Sequence, residues 1–171
     1  MVYKSPHYEG DLSTIQKDKN GRNISIPAKA LNIVWGKDGR YWKLPDNPNM
    51  PAELLQVSWL EVSSCVDGIN PKKKYEVGFK ISLKVDAFGW NKYPVYIMMK
   101  RGQEGEISWK KVSLNTNNGN GNQPFEILGE LMKTEKHMTD TKLYFGLYEV
   151  WSGKWKGGLQ IHGAFVREAA S

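Results

Sequence analysis

From Lys74 to Val85 the chain alternates without a break. Tyr75, Val77, Phe79, Ile81, Leu83 and Val85 are apolar or aromatic, whereas Lys74, Glu76, Gly78, Lys80, Ser82 and Lys84 are not. Successive side chains of a strand point to opposite faces, so this pattern demands a long strand with one face in a core and one in water. Such a strand needs paired neighbours and a second layer to cover its apolar face. Further runs of strand type lie at 54–62, 94–100, 108–114, 125–131, 142–150 and 159–166, with turns at 102–105, 115–123 and 151–158. In 54–62, Leu55, Val57 and Trp59 share one face, but Leu54, Leu60 and Val62 make the other apolar too, so both faces are expected to be covered. Apart from an ambiguous stretch at 125–138, no segment has a clean helical period. Many short strands joined by Gly-, Asn- and Pro-rich turns predict an all-β protein, a two-sheet β-sandwich.

Residues 1–27 are polar, broken by Pro6 and Pro27, and show neither period. They are expected to form an extension lying loosely over one domain of residues 28–171. A chain of 171 residues buries roughly 70% of its unfolded surface, enough for a core without staples. The lone Cys65 excludes an intramolecular disulfide. No secretory or membrane-spanning apolar run is present, so a cytoplasmic protein without membrane insertion is expected.

Chemistry-bearing patterns are sparse. His7, His137 and His162 fall in the extension, a polar turn and a strand, and no metal-ligand spacing such as HExxH or Cys-x-x-Cys occurs. No metal or other cofactor is therefore expected. There is no glycine-rich phosphate loop and no Gly-x-Ser-x-Gly elbow. A glycosidase needs two carboxylates flanking a bond, and nothing in the sequence pairs Glu149, Glu61 and Asp38. Binding rather than turnover is the expectation. The net charge of +6, with lysines at Lys72–Lys74, Lys100–Arg101 and Lys110–Lys111, suits either a solubilising surface or a salt-sensitive nucleic-acid contact. The Asn/Gly run at 115–123 reads as a hairpin connector or as a source of polar groups for a sugar.

The segment ALNIVWGKDGRYW, residues 30–42, reads as a strand over 30–35 followed by a Gly36–Arg40 turn, with Trp35 and Trp42 on its two shoulders. Two indoles so placed form a flat platform for the C–H face of a sugar ring. The spacing equally allows Trp35 to end a strand in the core, with only Trp42 exposed.

This segment, as LNIVW followed by YW, resembles the sugar-binding stretch of the phloem lectins, the Nictaba-like family of phloem protein 2 type. Three further blocks resemble the family in order: AELLQVSWLEV at 52–62, KYEVGFKISLKV at 74–85, and LYEVWSGKWKGGLQIHGAFVRE at 147–168. The resemblance spans roughly residues 28–168 and fades around 115–123; the family's final Arg-Pro is here Arg167-Glu168. It implies a jelly-roll-like β-sandwich lectin specific for N-acetylglucosamine oligomers, with chitooligosaccharides and N-glycan glycoproteins as partners. It also implies a homodimer found in phloem sieve elements and sap, with RNA as the alternative partner through lysine patches and exposed aromatics. Trp35 and Trp42 match the family's two sugar-site tryptophans, and Glu149 matches an acidic site residue; a second acidic position aligns with Lys142. Lys43 and Trp151 join this carbohydrate-binding set by proximity to Trp42 and Glu149. Trp59 and Trp155 are assigned to the core or strand ends, and Trp90 is left open.

Overall fold

The computed structural model describes residues 5–114, 123–132, 134 and 137–169, so the Asn/Gly run at 115–122 lies outside the described residues. Its strands are β1 (Gln16–Lys17), β2 (Asn23–Pro27), β3 (Asn32–Ile33), β4 (Trp42–Lys43), β5 (Ala52–Leu54) and β6 (Leu60–Val66). They continue with β7 (Tyr75–Phe88), β8 (Val95–Arg101), β9 (Ile107–Val112), β10 (Phe125–Leu128), β11 (Leu143–Glu149) and β12 (Gly157–Glu168). Two single-turn 3-10 helices, Leu12–Thr14 and Ala28–Ala30, are the only helical elements among the described residues.

All pairings are antiparallel and form two sheets. One sheet runs β3-β6-β11-β8-β9. In the other, β12 pairs along its length with β7, which carries β10. The opposite edge of β12 takes β2 against residues 163–167 and β5 against 159–161, with β1 and β4 outside them. The inner faces meet in one core, where Phe79 of the larger sheet and Phe145 of the smaller pack edge to face with centroids 5.9 Å apart. The protein is the all-β, jelly-roll-like two-sheet sandwich that the alternation requires.

The period-two strand is β7, buried at every second residue from Tyr75 to Leu83. Beyond Leu83 the alternation of burial fails, and Val85 is exposed, because β7 runs past the sandwich edge while its partner breaks register at Gly158. Gly158 has a φ of +79°, and a Cβ there would meet Ala87 Cα at 2.6 Å, so the bulge admits only glycine.

Two expectations are corrected. Residues 54–62 are not one strand: β5 ends at Leu54 and β6 begins at Leu60. Leu54, Val57 and Leu60 all point inward, a spacing of three that no single strand permits, which is why both faces looked apolar. Nor do residues up to 27 lie loosely over the domain. β2 is hydrogen-bonded to β12 with Ile24 and Ile26 in the core, and Tyr8 exchanges both backbone hydrogen bonds with Ile33 at 2.9 Å.

Candidate functional site

A turn, a linker and a hairpin meet at one end of the sandwich. The turn leaves β3 at Ile33. Its backbone closes through Gly36 N–H to Ile33 O at 3.0 Å, and Asp38 O accepts from Tyr41 and Trp42 N–H at 3.0 and 3.1 Å. Asp38 also grips Arg40 at 2.7 Å, and the hydrogen bonds from Arg40 hold its carboxyl below the usual range. The expected strand over 30–35 is thus only Asn32–Ile33, because residue 35 turns. Trp35 has a φ of +65°, rare for a side chain of this bulk. Its N–H donates to His7 Nδ1 at 3.0 Å, and the imidazole edge packs on the indole with centroids 5.6 Å apart.

The linker and the hairpin meet at Val57 and Lys156, which exchange two backbone hydrogen bonds of 2.9 and 3.0 Å. Both side chains point inward, so their neighbours Ser58 and Trp155 face outward together. The Lys156 ammonium, fully buried, donates to Ser58 O at 3.0 Å, Lys154 O at 3.2 Å and Glu149 Oε1 at 2.9 Å. It clamps linker to hairpin from below. Glu149 is completed by Ser152, whose hydroxyl and N–H both donate to it. Burial alone would raise its carboxyl. The hydrogen bonds from Ser152 and Lys156, with the Lys156 charge, outweigh burial and hold it below the ordinary range.

Above this clamp lies a cleft of about 260 Å³ lined by Trp35, Tyr41, Val57, Ser58, Trp59 and Trp155. Trp35, Trp59 and Trp155 are 39%, 46% and 52% exposed, half in the wall and half open to a ligand. Tyr41 links them: its ring lies 5.9 Å from Trp35, nearly perpendicular, and 6.2 Å from Trp155 at 34°. Arg40 covers Tyr41 at 5.1 Å, and Trp59 Nε1 donates to Glu61 Oε1 at 3.1 Å. The walls are flat, apolar and uncharged, with hydroxyls and a backbone rim between them. Such a site suits a flat ring with C–H faces and a polar edge.

Of the residues expected in the site, only Trp35 lines the cleft. Trp42 is no platform: it opens β4, pairs with Leu54 and is 3% exposed, while Tyr41, the last residue of the turn, faces the cleft. Glu149 is committed to the buried pair with Lys156 and has no face toward the cleft rim. Lys43 is exposed beside Glu53 on β4 and β5, away from the cleft lining. Trp151 is exposed in the turn between β11 and β12, its ring 4.8 Å from Tyr96 of the smaller sheet. Trp59 and Trp155, assigned to the core or strand ends, stand just before β6 and β12 as half-exposed cleft walls, and Trp90 is buried with Nε1 donating to Gly157 O at 2.9 Å. The missed signal was the both-faces-apolar run at 54–62, which marks a parity break and frees Trp59 to turn outward.

Other chemistry among the described residues is limited. Asp38, Glu61 and Glu149 hold Arg40, Trp59 and Lys156 respectively, so no two of them share a partner. Ser82 Oγ lies 2.7 Å from His162 Nε2, but Ser82 is fully buried and its hydroxyl donates to Gln160 at 3.0 Å rather than meeting a carboxylate. No cluster of His, Cys, Asp and Glu suited to a metal is found among the described residues. No helix of these residues is long and apolar enough to cross a membrane. The Lys100–Arg101 pair is not a surface cluster: Arg101 is buried and donates to Pro71 O and Lys73 O, shaping the turn that carries Lys72–Lys74.

The chain is similar to known proteins along most of its length. It is 47% identical over 176 aligned residues to phloem protein 2-like A9 of Arabidopsis thaliana, covering 96% of this chain and 97% of that one. A lectin of Luffa acutangula is 32% identical over 92 residues, covering 48% of this chain and 44% of that one. Among solved structures, the C-terminal CBM6 of LamC from Zobellia galactanivorans aligns with 85% of this chain and 98% of that one, at 12% identity and a TM-score of 0.48. The sequence profile of phloem protein 2 matches residues 21–168, and with the Arabidopsis relative it shows that this chain belongs to the phloem protein 2 family.

Proposed function

We propose that this protein is a carbohydrate-binding lectin whose aromatic cleft stacks on N-acetylglucosamine rings of chitooligosaccharides or N-glycan cores. The observation that carries the reading is three half-exposed tryptophans and Tyr41 around one uncharged cleft. A soluble protein that leaves this much aromatic surface open at one spot does so for a ligand. The lectin among its relatives supports a sugar, and the family resemblance supports N-acetylglucosamine as the sugar. Within the family pattern Trp35 keeps its expected role, while Tyr41, Trp59 and Trp155 take the place expected for Trp42. Turnover has no support from the carboxylates, each held by a different partner. The family's description supports phloem as the setting.

Calorimetric titration with chitotriose tests this directly. Binding that is insensitive to salt and abolished by Trp155→Ala is the expected outcome; no binding, together with no response on a glycan array, overturns it. A second reading, RNA binding, rests on Trp109, exposed beside Lys110 and Lys111 on β9. RNA affinity driven by phosphates would fall steeply with salt and ignore chitotriose.

A further inference from the structure

The outer face of the smaller sheet carries a groove that the aromatic cleft does not use. It encloses about 560 Å³, with Tyr144 and Tyr148 of β11 along its floor, Ser63 of β6 on one side, and Met98, Lys100 and Ile107 of β8 and β9 on the other. Its floor depends on a glycine. A Cβ on Gly146 would stand 2.7 Å from both Cε2 and the hydroxyl oxygen of Tyr148, so this phenol lies down over a position that only glycine leaves open. Burial, and then the charge of Glu61, pushes the Tyr148 hydroxyl up, so it remains a neutral donor and acceptor.

The groove is joined to the cleft at one end. Tyr148 is the register partner of Glu61, whose carboxylate accepts the Trp59 indole N–H at 3.1 Å. On the other side Tyr148 pairs with Tyr96, which packs against exposed Trp151 at 4.8 Å and exposed Trp109 at 5.6 Å. A chain of register pairs and side-chain contacts therefore runs from the cleft wall at Trp59 to the groove floor and the flanking aromatics.

We propose that this groove is a further subsite, continuous with the aromatic cleft, for a neutral extended polysaccharide. The protein then grips the interior of a long oligomer and not only a short end. The proposal rests on the reading of the cleft as a sugar site. Charge selects the ligand class: among the described residues Lys100 is the only charged side chain lining the groove, and its ammonium sits 5.2 Å over the Tyr144 ring. A phosphate-rich strand would need several cations here and an acidic or basic chain a matching set of opposite charges. Polar tips argue against a second copy of this chain. Asn32, Ser63 and the two phenols stand among apolar walls, and two such faces pressed together would strip water from all of them without built-in partners. Sugar hydroxyls supply those partners while the rings cover the walls.

The test compares chitotriose with chitohexaose by calorimetry on the wild type, Tyr148→Ala and Ile107→Glu, with sedimentation of each. Ile107 is 61% exposed, so its change leaves the fold intact even if Tyr148→Ala does not. The wild type is expected to bind the hexamer about tenfold more tightly than the trimer, a gain of about 1.4 kcal/mol. Both variants lose that gain and keep the trimer affinity within about twofold. Equal affinity for the two lengths, or variants that keep the gain, overturns the groove alone. A shift of mass from dimer to monomer in Ile107→Glu overturns it in favour of an interface between copies. Absence of binding at either length overturns the cleft reading and the groove with it.

Discussion

The Lys156 ammonium and the Glu149 carboxylate lie 2.9 Å apart beneath the aromatic cleft, both almost completely shut off from water. The pair ties the end of β11 to the start of β12 and, through Ser58 O, to the linker that presents Trp59. Removing one member leaves the other buried and uncompensated, a loss of about 3–5 kcal/mol. Glu149→Gln is therefore expected to lower stability by roughly that amount in urea unfolding, and to weaken chitotriose only by loosening the cleft. A variant that melts like wild type but no longer binds would make Glu149 a direct sugar contact.

The same pair sets an acid limit. The unfolded chain protonates this carboxyl near pH 4.3, the ordinary range. The folded chain does so only at lower pH, because Ser152 and Lys156 favour the anion. Between the two values the unfolded state binds more protons, so this stability is present above the ordinary range and falls as pH drops through the window. Unfolding free energy followed from about pH 6 to about pH 3 should fall more steeply in wild type than in Glu149→Gln.

A second acid response comes from the other sheet. Burial, and then the charge of Lys80, holds the His162 imidazole below its ordinary range, against Ser82 at 2.7 Å. An unfolded imidazole takes its proton near pH 6.5, whereas the folded one resists to lower pH. Its contribution is complete above about pH 6.5 and is lost as pH falls through the window below. His162→Gln should flatten the stability profile there; an unchanged slope would show that the ring is not the group responsible.

The tryptophans divide by environment. Trp42→Ala empties a core site and should cost about 3–5 kcal/mol. Trp42→Phe should cost far less, because the buried Trp42 Nε1 meets no acceptor among the described residues. Trp155→Ala and Trp59→Ala, half exposed, should change stability by less than about 1 kcal/mol and abolish most chitotriose binding. Melting curves beside titrations decide the matter, and the reverse pattern would move the site back to Trp42.

His7 holds Trp35 in its left-handed conformation through one hydrogen bond at 3.0 Å. His7→Ala should weaken chitotriose binding severalfold while costing no more than about 1.5 kcal/mol of stability, the worth of a typical hydrogen bond. His7→Asn, which restores an acceptor, should recover part of the binding. No change in either variant would mean that the turn fixes Trp35 without it.

The period-two run of β7 made an all-β sandwich legible, because alternation over a long strand has one physical meaning: one face dry, one face wet. The same run shows the limit, since Val85 keeps the period but lies beyond the sandwich edge. Of the residues the family motif singles out, Trp35 lines the aromatic cleft, beside Trp155, which the sequence reading assigns to the core or strand ends. What composition and spacing could not decide was the facing of single residues. Tyr41 and Trp42 are adjacent aromatics where the turn enters β4, one facing out and the other in, and a shift of one residue exchanges them. The choice was made by Leu54, which faces Trp42 across β4 and β5 and draws it into the core. Glu149 and Lys156, seven residues apart in sequence, became partners only because the hairpin folds their side chains into the same dry layer, where each charge requires the other. Local pattern determined which residues form strands and where aromatics gather; the packing of one sheet on the other, which buries some side chains and leaves their neighbours in water, decided which of them could meet a ligand.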